Sequence, residues 1–92
     1  MDVIWDPAKA EANLQKHGVH FSDAEAVLFD PLALSMEDED AVGEDRYIAM
    51  GQDTVGRVLV VVYTYRGDSI RLISARPATR KEIKVYEKGI WF

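Results

Sequence analysis

The segment Val58-Leu59-Val60-Val61-Val62 limits the possible folds of this chain more than any other. Five apolar residues in a row lack the in-and-out alternation of a strand with one wet face, so they predict a central strand covered on both sides. That strand extends from Arg57 through Arg66, and Gly67-Asp68 forms a tight turn into a returning strand over Ile70 through Ala75. Any fold for this chain must therefore supply layers above and below a sheet. With 92 residues there is room for one modest core, hence a single domain over 1–92.

The covering layers are legible at both ends. Near the start, Val3-Ile4-Trp5 is a short apolar run that ends at Asp6-Pro7, where Asp can cap free amides and Pro is accepted at the first helical position. Ala10, Leu14 and His17 recur at helical spacing, with Lys9, Asn13 and Lys16 on a wetter stripe, and Gly18 closes the helix. Ser22 with Glu25 has the form of a capping box for a second short helix stopped by Asp30-Pro31. Leu32, Leu34 and Met36 then alternate as a half-buried strand, Glu37-Asp38-Glu39-Asp40 interrupts as a solvated turn, and Arg46 through Met50 forms another strand. A final helix starts at Thr79, capped reciprocally with Glu82, and turns Ile83 and Tyr86 inward. The sum is an α+β domain: a mainly antiparallel sheet of about four to five strands, two N-terminal helices and one C-terminal helix.

Charge is sorted along the chain. Residues 1–55 carry 13 acidic and 3 basic side chains, whereas residues 56–92 carry 8 basic and 3 acidic, beneath an overall net charge of −5. A polyanion can be held by the cationic last third alone, because the local field and not the sum decides. The absence of cysteine excludes a disulfide scaffold, thiolate chemistry and a cysteine zinc site. No stretch approaches a membrane span or a signal sequence, so the expectation is a soluble cytoplasmic protein.

Within that last third, strict alternation puts Ile70, Leu72, Ser74 and Arg76 on one side of their strand and Arg71, Ile73 and Ala75 on the other. Arg66 falls near the hairpin tip and Arg76 at the far end, so the firmer local cluster is Arg76 with Arg80. Guanidinium forks beside the free amides of a helix start suit phosphate; pairing of both arginines with Glu82, Glu87 or carboxylates of the first half is the alternative. His17, next to Lys16 at a helix C-terminus, suits either proton transfer or simple capping. With His20 alone nearby it makes no metal site. Tyr63, Tyr65 and Tyr86 serve either as core or as stacking surfaces for bases, and Trp91-Phe92 is an apolar tip that invites a partner or folds back on the sheet.

The segments Trp5-Asp6-Pro7-Ala8-Lys9, Lys16-His17-Gly18-Val19, Phe29-Asp30-Pro31, Gly43-Glu44-Asp45-Arg46, Val61-Val62-Tyr63-Thr64 and Ile73-Ser74-Ala75-Arg76, in this order and spacing, resemble the BrnT family of bacterial toxins. The resemblance runs from Trp5 to Glu87. It implies a RelE-like fold and a ribonuclease toxin of a type II toxin–antitoxin system, which cleaves RNA to stop translation until a BrnA antitoxin binds it. The antitoxin of such a pair carries a ribbon-helix-helix part, so DNA is met only through the complex. Carried across by position, the family's basic and polar pattern falls on Lys16, His17, Arg66, Arg76, Arg80 and Tyr86.

Chemistry assigns roles among these positions. Metal-independent, cofactor-free attack of the ribose 2′-hydroxyl on phosphorus needs phosphate holders and proton carriers, expected here as Arg76 and Arg80 for the former and His17 or Tyr86 for the latter. Lys16 and Arg66 are expected to bind neighbouring RNA. A non-catalytic RNA-binding or antitoxin-binding domain is the alternative, favoured by the absence of an obvious acid/base pair. A net negative RNA-cleaving protein is itself unusual, because long-range repulsion weakens RNA binding unless the acidic groups lie away from the site.

Overall fold

The structure, a computed structural model, describes residues 2–90. The Trp91-Phe92 tip lies outside the described residues. Three strands form the expected meander: β3 (Tyr47–Gln52), β4 (Val58–Arg66) and β5 (Ser69–Pro77), each antiparallel to the next. The strand β2 (Leu34–Glu37) adds antiparallel to β3, and β1 (Asp2–Ile4) adds parallel to β5. The resulting order β1-β5-β4-β3-β2 puts β4 in the centre, where its unbroken apolar run requires it to be.

Both faces of β4 are covered, by different means. On one face the helix α1 (Pro7–His17), the short helix α2 (Phe21–Ala24) and a 3₁₀ turn (Glu25–Phe29) close over Leu59, Val61, Tyr63, Leu72 and Ala75. This is the main core. On the other face the helix α3 (Arg80–Lys88) lays Val85 and Tyr86 over Met50 and Val60.

Local signals explain most helix ends. The Asp6 carboxylate accepts from the Ala8 N–H at 2.9 Å, and Gly18, at φ 69°, donates its N–H to the Leu14 carbonyl. Thr79 and Glu82 form the reciprocal capping box. The second helix departs from expectation: it starts at Phe21 behind His20, with no side-chain cap, and Ser22 is exposed within it. Burial of Phe21 and Ala24 in the main core sets its start, overriding the Ser22 and Glu25 signal.

Alternation in β5 also breaks. Val62 pairs with Ser74 but Tyr63 pairs with Leu72, so Ile73 is an extra residue, a β-bulge. Past the bulge the phase reverses. Ile70, Leu72 and Ala75 share the core face, while Arg71, Ser74 and Arg76 share the opposite one. The expected grouping of Arg71 with Ala75, and of Ile70 with Arg76, is thereby corrected.

Helix α3 is tied to the sheet by polar links. Arg76 donates to both oxygens of Glu82, at 2.8 and 2.9 Å, and Glu82 also accepts the Thr79 N–H. The Arg76 hydrogen bonds pull the Glu82 carboxyl down from 4.5 to about 2, against a desolvation that raises it. A depressed acid stabilises the fold above its ordinary pKa and ceases to as pH falls through its folded value. Glu82→Gln is therefore expected to lower the urea midpoint at neutral pH and to converge on the parent protein as pH drops from about 5 toward 2. Parallel curves over that range would contradict the link.

Candidate functional site

Beyond Arg71 the outer edge of β5 has no strand beside it, because β1 pairs only with Ser69 to Arg71. Helix α1 takes that place through one side chain. Asn13 donates from Nδ2 to the Ala75 carbonyl at 2.9 Å and to the Val19 carbonyl at 3.1 Å, and its Oδ1 accepts the Ala75 N–H at 3.0 Å. An amide side chain thus imitates a peptide group of a missing neighbour strand. Of the stripe Lys9, Asn13 and Lys16, expected to be the wetter one, Lys9 and Lys16 are exposed as expected, but Asn13 between them is buried against the sheet edge.

Once Asn13 fixes that stripe, helical spacing fixes its neighbours. Lys9, Lys16 and His17 stand along a groove of about 270 Å³ whose other wall is Ile73 and Ser74 of the bulge. Alternation would send adjacent residues to opposite faces, and the bulge lets both line one groove. No carboxylate lines it among the described residues. Lys16 and His17 also occupy the last turn of α1, where the helix dipole favours cations. The cap itself is made by Gly18, and among the described residues the His17 imidazole makes no hydrogen bond within the chain.

Of the six residues expected at the site, the groove brings together Lys16 and His17. Arg76 lies on β5 two residues beyond Ser74 and is engaged by Glu82, so the ion-pair alternative describes it correctly. Arg80 opens α3, exposed and without an ion pair among the described residues. Arg66 is at the β4–β5 hairpin tip, beside Glu44 at 3.8 Å and about 23 Å along the strand from Arg76.

Tyr86 has a different task from the one expected. Its hydroxyl donates to Asp30 at 2.5 Å, joining α3 to the end of the 3₁₀ turn. Burial first and Asp30 second push the Tyr86 phenol up to about 12, which unsuits it as a base. Asp30 also accepts the Gln52 and Leu32 N–H groups; although desolvation raises its pKa, these hydrogen bonds outweigh it and hold the carboxyl below its usual range.

Lys9, Asn13 and Ser74 are the members of this site that sequence reasoning missed. The seven-residue interval between Lys9 and Lys16 was a usable signal, since it puts both on one helix face. Nothing in the local sequence reveals the bulge that aims Ser74.

The fold belongs to a known class. A crystal structure of the Brucella abortus ribonuclease toxin, BrnT, matches with a TM-score of 0.68 and 29% identity, covering 87% of this chain and 99% of that one. The family model described as "Ribonuclease toxin, BrnT, of type II toxin-antitoxin system" matches residues 5–82, and the chain belongs to that family. No curated protein matches it. No helix among the described residues is long and apolar enough to cross a membrane.

Proposed function

We propose that this protein is an endoribonuclease toxin that cleaves RNA at the groove between α1 and the β5 bulge. The observation that carries the reading is the convergence of Lys9, Lys16 and His17 on one groove without an opposing carboxylate among the described residues. Two ammonium groups attract a phosphodiester and stabilise the charge that grows on it during reaction. His17 is the side chain there whose ring nitrogens can both accept and donate a proton.

The reaction is metal-independent internal transesterification. A base takes the 2′-hydroxyl proton, O2′ attacks phosphorus, the bond from phosphorus to O5′ breaks, and an acid protonates O5′ to leave a cyclic phosphate. His17 serves in proton transfer, Lys9 and Lys16 hold the phosphate, and the hydroxyl of Ser74, which lines the same groove, donates to it. Arg80 is available for a neighbouring phosphate. Arg76 acts as a positioning residue, joining the end of β5 to α3 through Glu82.

Translation inhibition follows from RNA cleavage, in the cytoplasm, until a BrnA-like antitoxin with a ribbon-helix-helix part covers the site. A cationic groove suits an acidic segment of such a partner. DNA is met only through that complex.

The test compares two RNA oligonucleotides in chelator, one carrying a 2′-deoxy substitution at the scissile nucleotide. The all-ribo substrate is expected to give a cyclic phosphate product and the substituted one to stay intact. Equal cleavage of both removes the 2′-hydroxyl attack. Loss of all activity in chelator removes its metal-independent form.

A further inference from the structure

The bulge that aims Ser74 at the groove also determines what lies on the second face of the sheet. Cross-strand pairing puts Met36, Ile48, Val62 and Ser74 in one row on that face, and Thr64, Arg71 and Ile4 in the next. Alternation back from Ile48 adds Arg46 to the second row, and the Asp38 N–H donating to the Arg46 carbonyl at 2.8 Å continues the ladder there. Helix α3 covers the neighbouring part of this face, over Met50 and Val60, and Ile48 packs at the edge of that cluster. Beyond it the face is open at its margins, where Ile4 and Met36 are 43% and 42% exposed, while Thr64 between them in the fold is buried.

Arg71 and Arg46 flank Thr64 at a Cα separation of about 10 Å, two strand spacings. Neither makes an ion pair among the described residues, in contrast to Arg57, Arg66 and Arg76. The Arg46 Nε is buried and has no hydrogen-bond partner. An orphaned guanidinium donor beside a second unpaired arginine is an anion-receptive arrangement on a rigid sheet. Carboxylates gather toward the β2 edge, where Glu37, Asp38, Glu39 and Asp40 line a depression with Met36 and Ile48, and Asp2 precedes the β1 residues beside Arg71.

Ser74 belongs to both places. It lines the groove that holds His17, and it stands on the same sheet face as Arg71, about 10 Å away along β5. The two regions are therefore one continuous surface. We propose that the strip of the second sheet face running from Ser74 past Arg71 to Arg46 is a track for the phosphodiester backbone of single-stranded RNA, with Arg71 and Arg46 as phosphate contacts next to the cleavage groove. This rests on the ribonuclease reading for its substrate. Ile4 at the end of this row and half-buried Val62 in the neighbouring one offer apolar surface for bases, and continuity with the cleavage groove through Ser74 favours RNA over an acidic protein segment.

The experiment measures binding of an uncleavable 2′-O-methyl 12-mer across salt concentrations, and cleavage of the all-ribo 12-mer and of a dinucleotide. Each single-strand phosphate contact contributes about 0.7 to the slope of log affinity against log salt. Arg71→Gln and Arg46→Gln are each expected to reduce the slope by about that amount and to weaken 12-mer binding roughly fivefold, raising KM but not lowering kcat. Dinucleotide cleavage is expected to be unaffected, and Arg71→Lys to retain the slope while losing affinity. Lys88→Gln, on the exposed end of α3, serves as the charge control and is expected to bind as the parent does.

Unchanged slope and affinity in both arginine variants overturns the track and leaves this face to a protein partner. A kcat loss on the dinucleotide also overturns it, by putting the arginines at the reacting phosphate. If the arginine variants lose slope while the parent protein cleaves nothing, the track stands and the ribonuclease reading fails.

Discussion

Asn13→Ala is expected to lower the melting temperature by roughly 15 °C, the largest stability effect of any single polar substitution proposed for this fold. Truncation removes three hydrogen bonds at once and leaves the Ala75 N–H and the Ala75 and Val19 carbonyls without partners in a buried site. Orphaned buried polar groups cost about 1–3 kcal/mol each before relaxation, so a net loss of about 3 kcal/mol is a moderate reckoning. Asn13→Asp separates hydrogen bonding from volume. A carboxylate of nearly the same size can accept the Ala75 N–H but cannot donate to two carbonyls, so it is expected to destabilise at least as much as alanine. Calorimetry or urea unfolding decides the matter; a shift below about 5 °C for Asn13→Ala would show that α1 is held by its apolar face alone.

The second large effect is on turnover. His17→Ala is expected to reduce kcat by about 10² to 10³, the usual range for loss of a positioned acid or base. Its stability should change by no more than about 1 kcal/mol, because a cation at a helix end contributes little and Gly18 makes the cap. A structural role and a chemical one separate further on adding free imidazole, which can re-enter the cavity left by alanine and restore proton transfer. Rescue supports the chemical role. Retained kcat in the unrescued variant would remove His17 from the reaction and leave the two lysines as a binding site only.

These two residues also show how far the amino-acid sequence can be read. The features written in adjacent residues were legible: Asp6-Pro7 and Gly18 bounding α1, the Thr79 and Glu82 box, and the central strand from its unbroken valine-rich run. Lys16 and His17 could be chosen as site residues because a helix end, a cation and an imidazole coincide there. What escaped depends on lateral partners far away in the chain. Asn13 looks solvated until its partner 62 residues on is known. Arg71 looks as though it shares a face with Ala75 until the pairing with β4 reveals an extra residue at Ile73. Tyr86 looked available for chemistry because nothing near it in sequence announces Asp30, 56 residues earlier.

The acidic first half is also explained by placement. Asp23 and Asp53 hold Arg57 near α2, and Asp30 holds Tyr86, so several carboxylates are spent on internal links away from the groove. The net charge of the whole molecule is a poor guide to the field at its edge groove.

One wall of the groove comes from residues 9–17 and the other from residues 73–74. A chain emerging from the ribosome makes its histidine wall first and must add more than fifty further residues before the serine wall exists. Its Asn13 clamp waits equally long, for Ala75. On the proposed ribonuclease reading, a nascent copy has no cleavage groove until the bulge is made, and a product truncated before it is expected to be inert.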